Sequence, residues 1–302
     1  NAFYRCSRLK SIVLPDSLVK IGNRAFTNCN EIISIEIPNN VEIIGEAAFG
    51  GTNITSVTIP STVQEIGASA FPATLTSVVW NAQNCAPTTW TYSYNSYYGP
   101  FAYSAENITS FTIGDGVEYI PSYLCFDMEK ITAITIPNSV KTIGGNAFNG
   151  CASISSVTIP KTIQNIGENA FYSCNSLTKT YYEGSVSDWC NIRFEGANAN
   201  TFQFYRNTYL TDLYINDQKV ENLVIPNNVE KINAYTFGNC KSITSVKLGN
   251  RVTSIGREAF NGPSTKVYLN VSTPPSIDTL AVPKNSICYI PCGTQEDYAT
   301  SK

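Results

Sequence analysis

Ile54-Thr55-Ser56-Val57-Thr58-Ile59-Pro60-Ser61-Thr62-Val63-Gln64-Glu65-Ile66-Gly67-Ala68-Ser69-Ala70-Phe71 decides the fold. The stretch opens on an alternation. Val57 and Ile59 fall on one side and Ser56 and Thr58 on the other, the pattern of a half-buried strand rich in β-branched residues. Pro60 has no N–H to donate and ends the ladder there. Val63 and Ile66 then turn inward, Gly67 permits a bend, and Ala70-Phe71 fill the far side of a coil. Outward from this stretch the same pattern returns. Phe3, Phe26 and Phe49 are 23 residues apart and Phe71 follows after 22. Phe126, Phe148 and Phe171 continue at 22 and 23, and Phe237 to Phe260 is again 23. Pro15, Pro38, Pro60, Pro137, Pro160 and Pro226 keep the beat, as do the Ile-Gly pairs at Ile21, Ile44, Ile66, Ile143, Ile166 and Ile255. Three markers held in phase at a period in the twenties predict a leucine-rich-repeat solenoid.

The energetics require an array. About six apolar side chains turn inward per repeat, each contributing roughly 1.5–3 kcal/mol when fully buried. Ordering the backbone costs about 1–2 kcal/mol per residue, so one repeat cannot stand alone and stacked neighbours can. The expectation is a single array over residues 1–302, of roughly ten repeats. A curved parallel sheet should line its concave face, with short irregular or 3₁₀ segments on the convex face and few α-helices. Two repeats are irregular. After Trp80, which takes the place of Ile59, the next clear Phe is Phe101, so residues 81–100 form an insertion. A second, near 183–219, runs from Tyr182 through Trp189-Cys190 and Phe202 to a hairpin-like Leu213-Tyr214-Ile215-Asn216-Asp217-Gln218-Lys219-Val220. Residues 271–302 form a closing segment.

Composition narrows the chemistry. The 302 residues carry 14% charged side chains and a net charge of −3, with no Lys/Arg run, which speaks against nucleic acid or an anionic bilayer as the partner. There is no histidine, which removes His-based triads, His general bases and His metal ligands. No apolar stretch approaches the length of a membrane span. The chain starts within a repeat at Asn1, so a leader removed upstream is compatible with the sequence.

The run Ile-x-Ile-Pro-x-x-Val-x-x-Ile-Gly-x-x-Ala-Phe-x-x-Cys, at residues 134–151 and, with Val157 opening it, at 157–174, resembles the BspA-type leucine-rich repeat. The segments Trp80 to Cys85 and Tyr181 to Cys190 are similar to irregular modules that recur in these proteins, and Tyr289 to Tyr298 is similar to the segment that closes them. Gly51 stands where Cys is expected, and Gly114 and Gly249 replace Pro. The resemblance implies a secreted or surface-anchored protein of Bacteroides-like anaerobes or of trichomonads, acting as an adhesin for matrix proteins, host cells or other bacteria. It brings no catalytic residues, cofactor or metal site.

Candidate sites follow. Cys6, Cys29, Cys151, Cys174 and Cys240 each sit three residues after a repeat Phe. This is either a thiol or metal ladder or a small apolar side chain at a recurring corner. Cys288 and Cys292 could form a bridge in an oxidising compartment. The outward strand positions are mostly Ser and Thr, with Lys179 and Tyr181 as exceptions. Trp90, Tyr92, Tyr94, Tyr97 and Tyr98 in the first insertion are the strongest binding candidates, because tyrosine gives large contact area at low entropy cost. The same rings could instead cover the apolar edge left where the insertion breaks the coil. Gly114-Asp115-Gly116 reads as a turn, and Asp188 and Glu195 are isolated acids. The expected function is a non-catalytic adhesion or interaction module, extracellular or on the cell surface, binding protein or glycan and free of nucleic acid. The alternative is a structural spacer or self-assembling subunit.

Overall fold

The computed structural model describes the chain except residues 87–91, 94–95, 98, 197–198, 200–203, 206–207, 210, 263–265, 272, 279, 283–285 and 301–302. It divides into two units, Asn1–Ile154 with Ser173–Asn175, and Ser155–Tyr172 with Ser176–Lys302.

In the first unit the alternation read from Ser56 to Ile59 is a strand, and its repeats stack on it in parallel. Ser56–Ile59, Ser77–Trp80 and Ser110–Ile113 pair in register, so that Ile59, Trp80 and Ile113 form one buried row. A second parallel ladder runs through the Ile of the Ile-Gly pairs, and through Ile120 before Pro121, in strands two residues long. Lys20–Ile21, Ile43–Ile44 and Glu65–Ile66 form one set, and Tyr119–Ile120 pairs with Thr142–Ile143 in another. The residue before each Ile faces outward or sits at the rim while the Ile is buried. Gly67 is needed here for a reason other than bending. Its backbone is not left-handed, but a Cβ on it would stand 2.4 Å from the N of Glu46 in the preceding coil. Neighbouring coils touch backbone to backbone at this corner.

The aromatic marker forms a third ladder. The rings of Phe3, Phe26, Phe49, Phe71 and Phe101 stack in sequence, 5.3–5.7 Å between centroids and within 16° of parallel. The backbone around each ring is hydrogen-bonded in two directions. N–H groups of Arg24, Phe26 and Asn28 donate 2.8 Å to the carbonyls of Glu46, Ala48 and Gly50 in the next coil. Those of Ala25, Thr27 and Cys29 close turns within their own coil, to Gly22, Arg24 and Phe26. Every second N–H therefore leaves the coil, and no donor in the stretch is stranded in the interior. A left-handed residue stands two positions before and two after the rings of Phe26 and Phe49: Arg24 (φ 54°) and Asn28 (φ 63°), then Ala47 (φ 49°) and Gly51 (φ 70°).

The first insertion leaves this frame intact. The insertion begins later than residue 81, because Asn81, Gln83 and Ala86 still donate to Ile59, Ser61 and Gln64 in the preceding coil. At its far end the Pro100 carbonyl accepts from Phe71 N–H at 3.3 Å, and the ring of Phe101 stacks on Phe71 at 5.3 Å. One expected marker is displaced. Cys125, not Phe126, donates its N–H to Ala147 as the repeat Phe does elsewhere, and left-handed Tyr123 and Asp127 bracket it. The spacing of 22 from Phe126 to Phe148 was a register slip of one residue. Leu124, Phe126 and Met128, all buried, fill the volume that a ring at position 125 would take.

In the second unit Ser156–Ile159, Lys179–Tyr182 and Asp212–Ile215 pair in parallel, and Gln218–Lys219 folds back antiparallel on the last of them. The hairpin read from Leu213 to Val220 is thus present, with Asn216 and Asp217 both left-handed at its turn (φ 50° and 59°). A further parallel set comprises Asn222–Val224, Ser245–Lys247, Lys266–Tyr268 and Ile287–Tyr289. The Ile ladder continues in Asn165–Ile166 with Arg193–Phe194, and in Lys231–Ile232, Ser254–Ile255 and Ser276–Ile277. Phe237 and Phe260 stack at 5.7 Å and 1°.

Helices are few: among the described residues, Val186–Asn191, Gln295–Thr300 and the 3₁₀ turn Ala105–Asn107. The first is set by a capping box, in which Ser185 Oγ accepts from Asp188 N and Asp188 Oδ2 accepts from Ser185 N at 2.9 Å. It buries Trp189, whose indole N–H donates 2.8 Å to the Thr236 carbonyl. No described helix is long and apolar enough to cross a membrane.

Candidate functional site

The strand ladders place every second side chain outward, and the two units differ in what they present. In the first unit these positions hold hydroxyls, with Val79 the exception. Ser56, Thr58, Ser110 and Thr112 are exposed, and an open cleft of about 750 Å³ borders Glu36, Asn39, Ser56, Thr58 and Asn81. Small hydroxyl side chains seldom act as binding anchors.

Beyond Ser156 and Thr158, the second unit presents aromatic rings and cations. Register brings Lys179 beside Asp212 and Tyr181 beside Tyr214, and the two tyrosine rings lie 4.9 Å apart at 31°. Lys219, brought back by the hairpin opposite Tyr214, reaches Asp212 Oδ2 at 3.1 Å. That hydrogen bond and the charge of the carboxylate hold the Lys219 ammonium above its ordinary pKa. The other oxygen of Asp212, Oδ1, is buried without a hydrogen-bond partner. The next sheet repeats the motif. Val224, Lys247, Tyr268 and Tyr289 form one outward row, and the rings of Tyr268 and Tyr289 stack at 4.6 Å and 8°. Beside them Asn222, Ser245, Lys266 and Ile287 form a second row.

Of the residues expected at a binding site, Lys179 and Tyr181 share this face. Tyr92–Ser93 and Ser96–Tyr97 pair as an antiparallel hairpin, Tyr92 opposite Tyr97. Trp90, Tyr94 and Tyr98 lie outside the described residues. Tyr214, Tyr268, Tyr289 and Lys266 were not anticipated. The signal was present in Lys266-Val267-Tyr268, which alternates as Ser56 to Ile59 does but without the Pro and Ile-Gly markers in phase, whereas Ile287-Cys288-Tyr289 is exposed at all three positions and shows no alternation.

The cysteine column is core. Cys29, Cys151, Cys174 and Cys240 are buried, whereas Cys6, at the same spacing, is exposed. Cys29, Cys151 and Cys174 donate Sγ to a carbonyl one coil back, at 3.1 Å in each case. Burial pushes the thiols of Cys174 and Cys190 up to about 12 and that of Cys240 up to about 11, so none is a thiolate nucleophile at neutral pH. Cys288 and Cys292 are free and exposed. Among the described residues no group of three or more His, Cys, Asp or Glu is arranged to hold a metal ion.

Comparison with known proteins agrees with the geometry. No curated protein matches the chain. A leucine-rich repeat protein from Bacteroides ovatus is 20% identical with a TM-score of 0.50, the alignment covering 96% of this chain and 80% of that one. A leucine rich cell surface protein from Faecalibacterium prausnitzii is 26% identical with a TM-score of 0.41, covering 86% and 67%. The model of the BspA type leucine rich repeat region matches in six copies, over residues 1–85, 96–218 and 211–281. With the repeat register, the parallel ladders and this match over most of its length in agreement, the chain belongs to the BspA-type leucine-rich-repeat family.

Proposed function

We propose that the protein is a non-catalytic interaction module, secreted or displayed at a cell surface, that adheres to a protein or glycan partner. Such repeat arrays serve as interaction scaffolds, because stacking leaves a broad outward face free of folding duties. The observation that carries the reading is the pair of outward tyrosine stacks, Tyr181 on Tyr214 and Tyr268 on Tyr289. Tyr268 and Tyr289 remain 37% and 43% exposed, so nothing in the fold consumes them. Exposed rigid aromatics are the side chains that dominate interface energetics. The aromatic insertion, with Trp90, Tyr92, Tyr94, Tyr97 and Tyr98, belongs to the same reading on composition.

The test replaces Tyr181, Tyr214, Tyr268 and Tyr289 with Thr, the residue the first unit uses at such positions, and screens parent and variant against matrix proteins and a glycan array. Lost binding with an unchanged melting curve supports the module. Binding retained in full by the variant removes this face and shifts the search to the insertion. No binding by the parent to any surface leaves the spacer as the better reading.

A further inference from the structure

The sheet of Asn222–Val224, Ser245–Lys247, Lys266–Tyr268 and Ile287–Tyr289 carries charge that its own stability does not call for. Lys266 pairs in register with Ser245, and Lys247 with Tyr268, so the two lysines are diagonal neighbours on adjacent strands of one face. Both are exposed. The two ammonium groups repel each other, and nothing in the pairing of the strands requires them there. Elsewhere the chain places cations against acids in the next coil, as in Arg24–Glu46 at 3.2 Å and Lys141–Glu118 at 2.8 Å. No ion pair among the described residues includes Lys247 or Lys266, and the eight outward positions of this sheet hold no acid. Hydroxyls at both positions, as on Ser56 and Thr58, would serve the fold equally well.

The rest of the face indicates which kind of anion fits. Val224 and Ile287 are each 56% exposed and flank the lysines with bare β-branched carbon. Tyr268 and Tyr289 lie nearly parallel at 4.6 Å, so their inner faces cover each other. An acidic polypeptide brings carboxylates for the lysines and apolar side chains for Val224 and Ile287, whereas an acidic glycan offers those two side chains mainly hydroxyls.

We propose that this face docks an acidic segment of another protein, with carboxylates over Lys247 and Lys266 and apolar side chains against Val224 and Ile287. The inference rests on the reading of the protein as an interaction module and names the partner's chemistry.

The experiment uses the full chain and three probes: a soluble peptide of glutamates interspersed with leucines, poly-L-glutamate, and polygalacturonate. The mixed peptide should bind most tightly, and raising the salt should weaken it. The double variant Lys247→Ser with Lys266→Thr, its melting curve checked against the parent, should lose roughly tenfold or more in affinity. Charge reversal, Lys247→Glu with Lys266→Glu, should transfer binding to a peptide of lysines and leucines, and it serves as the second variant if the first folds poorly. Equal binding by parent and lysine variants overturns the proposal. Polygalacturonate competing as well as the peptide at equal carboxylate concentration also overturns it, in favour of an acidic glycan. If replacing Tyr268 and Tyr289 abolishes binding of a screened partner while the lysine variants leave it unchanged, the charge argument fails and the interaction module stands.

Discussion

The thiol of Cys151 donates 3.1 Å to the carbonyl of Cys125, the residue that occupies the place of the phenylalanine ring in its coil. In two other coils the same bond runs to a ring residue, from Cys29 to Phe3 and from Cys174 to Phe148. The backbone frame thus persists while the side chains exchange volume: Leu124 is larger than the usual Ala, Cys125 smaller than Phe, and Met128 larger than Cys. Cys125→Phe should therefore destabilise by about 1–3 kcal/mol through overpacking, although it restores the consensus. Adding Leu124→Ala and Met128→Cys should recover most of the loss. Denaturation midpoints decide it, and a single variant as stable as the parent would mean that the space beside Cys125 is empty.

The repeat was legible because it is local. Pro60, Ile66-Gly67 and Ala70-Phe71 recur at fixed offsets, and each does something the coil cannot omit. The second ladder was less legible, since two-residue strands such as Glu65–Ile66 are too short to show alternation. The slip at Phe126 arose because the marker was a residue type, while the structure fixes a backbone position. The binding face was half legible. Lys179 and Tyr181 precede a recognisable strand end, but Tyr214 joins them only through pairing across 33 residues, and Tyr268 and Tyr289 sit where the repeat has drifted.

Thiol chemistry gives a second prediction. Seven cysteines are buried and three, Cys6, Cys288 and Cys292, are exposed, so a thiol reagent should label three in the native protein and ten after unfolding. The same burial makes stability fall in alkali. The folded thiols of Cys174 and Cys190 stay protonated up to about 12, against an ordinary 9.0. From about pH 9 upward the unfolded chain therefore releases protons that the folded chain keeps, and the equilibrium shifts toward unfolding. Urea midpoints measured from neutral pH to about pH 11 should decline, and Cys174→Ala should decline less steeply. Equal slopes would show that this thiol is not held protonated by the fold.

Tyr182 offers a third. It is 2% exposed, its ring meets Trp189 edge-on at 4.8 Å, and its hydroxyl has no hydrogen-bond partner. A buried unpaired polar group costs about 1–3 kcal/mol. Tyr182→Phe keeps the ring and removes that cost, so the melting temperature should hold or rise. A marked fall would reveal a bound water or another partner that the hydroxyl depends on.

The left-handed residues around Phe49 allow a paired test of backbone strain. Ala47 sits two positions before Phe49 at φ 49°, where a Cβ costs roughly 1–2 kcal/mol. Glycine there avoids the clash, and its greater freedom in the unfolded chain offsets about 0.5–1 kcal/mol of the gain. Ala47→Gly should thus be neutral to stabilising by up to ~1 kcal/mol. Ala48, the next residue, is fully buried and is not among the positive-φ residues. Ala48→Gly keeps the entropy penalty, gains no relief and removes a packed methyl, so it should destabilise by about 1 kcal/mol or more. The two variants differ by one position and are identical in chemistry, so only local backbone conformation and burial separate them. Denaturation of both under one set of conditions reads the difference directly. If Ala47→Gly is the more damaging of the two, position 47 does not carry the strain that the alternating hydrogen-bond pattern around Phe49 demands of it.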